Sequence, residues 1–143
     1  MRKLIFASII LLFIAKSGYT QILSGCESVT AFNKGSSPDL GIIISSGDAE
    51  TVWNALRLAT FSQSKGDTVV IFVVGKALDV YMHDTSKFKI EELCNNFFSS
   101  GGNVYACATC AKQRHTENVP SCTITSIDDM YEIVKRSKKV LTF

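Results

Sequence analysis

Apolar positions change their spacing along this chain, and the changes outline alternating strands and helices. Leu40-Gly-Ile-Ile-Ile-Ser45 is a β-branched run without polar alternation, the pattern of a strand buried on both faces. Gly47-Asp48 interrupts it, with Asp48 an expected N-cap and Glu50 in the first turn, where the helix dipole favours an acid. Val52, Ala55, Leu56 and Ala59 then recur at the spacing of one helix face, and Gly66 is the expected stop. Thr68-Val-Val-Ile-Phe-Val-Val74 is a second apolar strand ending at Gly75, and Lys76–Lys89 reads as a loop with a short helical turn. Ile90, Leu93, Cys94, Phe97 and Phe98 share the face of a second helix closed by Gly101-Gly102. Asn103-Val-Tyr-Ala106 is a third strand, and it delivers Cys107 at its C-terminal end.

Beyond Pro120, Cys122–Thr125 has the character of a short strand. Ser126 with Asp129 forms a Ser-x-x-Asp capping signal for a last helix, whose expected buried stripe is Ile127, Met130, Tyr131 and Val134. Lys135, Arg136, Lys138 and Lys139 suit its negative end, and Val140–Phe143 is an expected edge or inserted strand. Strands alternating with helices define an α/β chain with a mostly parallel sheet of about five strands and helices on both faces. In such sheets reactive groups gather beyond the carboxyl ends of the strands, here Cys107, Gly75 and Ser45-Ser46.

The first residues follow a different pattern. Arg2 and Lys3 precede an apolar run from Leu4 to Ala15, followed by small and polar residues through Thr20. That is the layout of a secretory signal, and the run is shorter than the roughly 20 residues of a membrane-spanning helix. The expected organisation is a signal peptide over 1–20, an N-terminal tail over 21–38 and one domain over 39–143, with a periplasmic or secreted location. An uncleaved anchor is one alternative. Another is a membrane lipoprotein anchored at Cys26, since Leu23-Ser-Gly-Cys26 fits a lipobox, although Lys16 interrupts the apolar approach to it.

Removing the signal changes the charge balance. The chain carries 15 Lys+Arg against 13 Asp+Glu, and Arg2, Lys3 and Lys16 leave with the signal. The mature protein is then close to neutral. No clustered basic face with interleaved aromatics remains, so nucleic acid is not an expected partner.

Five cysteines follow the signal segment, an odd number in a compartment that favours disulfides. Cys94 falls on an apolar helix face as a core thiol, Cys26 lies in the tail, and Cys122 is open between free, paired and ligand roles. Cys107 and Cys110 differ in kind. A thiol between a strand end and a helix start meets unpaired N–H groups and the positive end of the dipole, which lower its pKa; Lys112 and Arg114 add to the effect. A passive Cys107–Cys110 disulfide is the bland alternative, and dithiol exchange another. Cys107-x2-Cys110-x4-His115-x6-Cys122 also approaches a zinc-knuckle spacing, but on strand, helix and loop rather than isolated turns. His83 and His115 are the two histidines, each without an Asp partner that would suggest a triad. There is no glycine-rich phosphate loop, and neither metal nor cofactor is expected.

From about Asp39 to Phe143 the chain resembles the DsrE/DsrF-like family of sulfur-relay proteins. The resemblance rests on Asn54-Ala-Leu-Arg-Leu-Ala59 with Gly66-Asp67, the Val69–Gly75 strand, Cys107-Ala-Thr-Cys-Ala-Lys-Gln-Arg114 and Lys138-Lys-Val-Leu-Thr-Phe143. It implies a three-layer α/β/α domain, a homotrimer or homohexamer, and sulfurtransferase-like carriage of sulfane sulfur as a cysteine persulfide. The family's sulfur-carrying Cys maps onto Cys107, seven positions before Arg114, and Cys110 onto a second Cys found in a subset of members. His115 stands where the family often has Gly. Expected partners are sulfur donor and acceptor proteins or small thiols. The rival functions are a non-catalytic oligomeric binding module with a Cys107–Cys110 disulfide, and a thiol-disulfide oxidoreductase.

Overall fold

The computed structural model describes residues 31–81, 83–116 and 119–143. The proposed signal segment and the Cys26 lipobox lie outside these residues. Among those described, no helix is long and apolar enough to cross a membrane.

Five strands, β1 (Leu40–Ile44), β2 (Val69–Val73), β3 (Asn103–Cys107), β4 (Thr123–Thr125) and β5 (Lys139–Thr142), form one sheet in the order β4-β3-β2-β1-β5. Every pairing is parallel. Between them run α1 (Ala49–Ser64), α2 (Ala77–Val80), α3 (Ile90–Ser99), α4 (Ala108–Gln113) and α5 (Ile127–Arg136). From β1 to β4 each connection steps in one direction across the sheet. The connection from β4 to β5 returns from one edge to the other. Right-handed crossovers therefore put α1, α3 and α4 on one face and α5 on the opposite face. The fold is the expected α/β arrangement, with helices on both sides of a parallel sheet.

The central strands are apolar throughout because both faces are covered: every residue of β1 and β2 is buried. Ile42, Ile44, Ile71 and Val73 pack with Val52, Ala55, Leu56 and Ala59 of α1 and with Ile90, Cys94 and Phe97 of α3. The Asp48 carboxylate caps α1 by accepting from the Thr51 N–H at 2.8 Å, as its position predicts, and this hydrogen bond holds its pKa below the usual value. Gly102 follows α3 at a close approach. A Cβ there would lie 2.3 Å from Cε1 of the fully buried Phe97. Gly102→Ala is expected to cost about 1–3 kcal/mol, read as a lower urea midpoint at unchanged slope.

Two expectations for the helices are corrected. Phe98 of α3 is exposed, so that helix buries Ile90, Cys94 and Phe97 and leaves Phe98 outside. In α5, Ile127, Tyr131 and Val134 are all exposed, while Asp129 and Ile133 are buried and Met130 is half-buried. The physical reason is Asp129. Its Oδ2 does not complete a capping box; it accepts from the Ala31 N–H at 2.6 Å, the Phe32 N–H at 2.9 Å and the Thr125 hydroxyl at 2.5 Å. These bonds set the rotation of α5 about its axis and carry the Ile127 stripe away from the sheet. They also anchor the segment before β1, whose Phe32 is buried edge-on against Tyr105 with ring centroids 6.0 Å apart.

β5 is an exposed edge strand. Asp39 ties it to the sheet, accepting from Lys138 Nζ at 2.7 Å and from the Thr68 N–H at 2.9 Å; these donors hold its carboxyl far below the usual range.

Candidate functional site

Strand alternation decides which way the β3 side chains face. Val104 and Ala106 enter the core under α1 and α3, whereas Tyr105 and Cys107 enter the opposite cluster with Phe32, Phe72 and Ile133. Cys107 ends β3 and is also the N-cap of α4, with extended φ −63° and ψ 113°. Its Sγ accepts from the Cys110 N–H at 3.4 Å. One turn on, Cys110 is half-buried against both apolar clusters, and its Sγ accepts from the Gly75 N–H at 3.4 Å. Gly75 adopts φ +61°, a conformation residues with a side chain avoid, and this turn presents its N–H to the thiol. The ends of β2 and β3 thus converge on two sulfurs, and the thiols hydrogen-bond to each other.

The electrostatics differ from the sequence expectation. Cys107 is only 5% exposed, and burial pushes its thiol above the usual cysteine value. Its hydrogen bond with the Cys110 thiol and the neighbouring sulfur's charge push the same way. The N–H groups of Cys110 and Thr109 pull it down, as the helix-start argument anticipates, but burial is the larger effect.

Arg114 lies near this pair without aiming its charge at it. Its Nε and Nη2 grip Asp79 of α2 at 2.5 and 3.0 Å, and its Nη1 donates to the Cys110 carbonyl at 3.2 Å. It therefore braces α4 against the short helix that follows Gly75. The pairing lowers the Asp79 pKa and raises that of Arg114. His83 is exposed and lines, with Leu78, Tyr81, Glu91 and Arg114, a cavity of about 420 Å³. His115 is exposed with φ 52° and lines a different cavity, beside Ala108, Lys112 and Ile124. At Ser45-Ser46, the third expected strand end, both N–H groups donate to the Phe143 carbonyl. Among the described residues no three His, Cys, Asp or Glu side chains gather as a metal set.

Sequence reasoning placed Gly75 at this end of the sheet but missed its N–H as a donor to Cys110, the Asp79 partner of Arg114 and buried Tyr81. The first two had a local signal, since a glycine at a strand end followed four residues later by an acid lies directly beside the cysteine strand in a parallel sheet.

Comparisons with known proteins agree with this architecture. Several solved structures share the fold, and two illustrate it. One is a conserved protein of unknown function, BT1422 from Bacteroides thetaiotaomicron, at 19% identity and TM-score 0.62, covering 73% of this chain and 95% of that one. The other is a protein of unknown function, MTH1491 from Methanobacterium thermoautotrophicum, at 11% identity and TM-score 0.57, covering 73% and 97%. No curated protein matches the sequence. The model of the DsrE/DsrF-like family matches residues 39–143, the whole sheet with its cysteine strand, and the chain belongs to that family, which is linked to sulfur relay.

Proposed function

We propose that the protein carries sulfane sulfur as a persulfide on Cys107 and passes it to an acceptor thiol. The observation that carries this reading is the paired thiol site: Cys107 at the end of β3, capping α4, with Cys110 hydrogen-bonded beside it. The Cys107 thiolate attacks the outer sulfur of a donor persulfide, the donor S–S bond breaks, and the donor leaves as a thiolate. An acceptor thiolate then attacks the outer sulfur of Cys107–S–SH and regenerates the Cys107 thiolate. Alternatively the Cys110 thiolate attacks the inner sulfur, closing Cys107–Cys110 and releasing hydrosulfide; a dithiol reductant then resets the pair. Neither route calls for a separate acid or base, which suits a site whose histidines line other cavities.

Burial favours one rival, a Cys107–Cys110 pair that only cycles between dithiol and disulfide. The test is to load the reduced protein from a low-molecular-weight persulfide and locate the added sulfur by peptide mass spectrometry. One extra sulfur on the Cys107 peptide is expected. Because the Cys107 pKa is raised, its thiolate fraction below that pKa grows tenfold per pH unit. Loading should therefore still be accelerating at about pH 9, where an unburied cysteine levels off. Oxidation without any added sulfur would establish the rival.

A further inference from the structure

We propose that Cys94 and Cys122 form a second dithiol, which closes into a disulfide stapling α3 to the edge strand β4. The chain brings the two positions together by neighbouring contacts. Ser121 Oγ donates to Asn95 Oδ1 at 2.8 Å, so residues 94–95 of α3 lie alongside residues 121–122 before β4. Ser121 holds φ 53°, uncommon for a residue with a side chain, and its bond to Asn95 helps to keep it there. Both cysteines belong to the same apolar cluster as Tyr81, whose buried hydroxyl lies against Cys94. Burial pushes the Cys122 thiol up to about 12, and the charge of a Cys94 thiolate adds to the rise.

The reaction needs an oxidant, a low-molecular-weight disulfide. The half-buried Cys122 thiolate attacks it, forming a mixed disulfide and expelling one thiolate. The Cys94 thiolate then attacks the Cys122 sulfur, forming Cys94–Cys122 and expelling the second; the two protons lost by the cysteines go to the expelled thiolates. Buried thiols of high pKa are poor leaving groups, so the closed staple resists reduction. It differs in this from the Cys107–Cys110 pair, in which Cys107 is buried but Cys110 is half-buried and offers a sulfur to a reductant. The consequence reaches the first site. β4 pairs with β3 alone, in register Cys107 with Thr125, so anchoring β4 to α3 stiffens the strand that presents Cys107.

The experiment incubates the whole chain in glutathione disulfide, blocks remaining thiols after denaturation, and digests with chymotrypsin. That enzyme cuts after Phe97, Phe98 and Tyr105, separating Cys94 from Cys107 and Cys110, and trypsin added to it cuts after Lys112 and Arg114, separating those two from Cys122. The expected product links the Cys94 and Cys122 peptides, persists in the Cys107→Ser/Cys110→Ser double variant, and survives a dithiol treatment that opens Cys107–Cys110. Closing a loop of roughly 30 residues should raise Tm by about 10 °C. Cys122→Ser should lose that increment while melting like the reduced parent. Alkylated Cys94 and Cys122 after Cys107 and Cys110 have oxidised, or Cys122 joined to any other cysteine, would overturn the proposal. A failure to load sulfur at Cys107 would leave these results unchanged, so the two proposals stand or fall separately.

Discussion

Cys107→Ser is expected to abolish sulfur loading, whereas Cys110→Ser should load and then hold the added sulfur longer. The two substitutions suit this comparison because both preserve the local hydrogen bonds. Cys107 caps α4 through its sulfur, and serine is among the preferred N-cap residues, so the fold should be kept or slightly stabilised. Any loss of loading is then chemical, since a hydroxyl cannot carry sulfane sulfur. In Cys110→Ser the hydroxyl can still accept from the Gly75 N–H, but the thiol that would attack the inner sulfur is gone. An intramolecular attacker at contact distance has a large effective concentration, so its removal should lengthen persulfide lifetime on the order of 10-fold or more. Mass spectrometry over time on both variants reads these effects directly. Normal loading of Cys110 in Cys107→Ser would reverse the roles; equal lifetimes in Cys110→Ser and the parent would remove Cys110 from the pathway.

The parts of this molecule legible in its sequence are those governed by near neighbours in the chain. Strands buried on both faces require uninterrupted apolar runs, which is why β1 and β2 stand out. The Asp48 cap and the α1 face repeat within a few residues. Cys107 at a strand end follows from the same local reading. What was not legible depends on distant partners. The α5 sequence carries two apolar stripes, Ile127/Tyr131/Val134 and Met130/Ile133, and hydrophobicity favours the wrong one. The choice is made by Asp129, whose partners Ala31 and Phe32 lie nearly a hundred residues earlier. The acidity of Cys107 is a contest between local N–H groups and burial among Phe32, Phe72 and Ile133, which arrive from three other segments. Only the first contestant is visible in Cys107-Ala-Thr-Cys110.

Asp129→Ala should be among the most destabilising single substitutions, costing about 3–5 kcal/mol. Asp129 is fully buried and its Oδ2 takes three hydrogen bonds, two from the backbone of the segment before β1. Alanine removes the acceptor and leaves the Ala31 and Phe32 N–H groups without it. The segment is then expected to detach, and exposing Phe32 forfeits a further part of the roughly 1.5–3 kcal/mol that burying such a side chain contributes. Against a total stability of about 5–15 kcal/mol, this is a large fraction. Urea unfolding should show a much lower midpoint, and trypsin should cut faster after the exposed Lys34 in that segment. Asp129→Asn retains a carbonyl acceptor but adds an N–H₂ group to a buried site, so an intermediate loss is expected. Because Phe32 and Cys107 share one apolar cluster, detachment should also raise the alkylation rate of Cys107 under native conditions. An Asp129→Ala protein within about 1 kcal/mol of the parent, with Lys34 no more sensitive to trypsin, would mean that α5 and the leading segment hold their places through apolar packing alone.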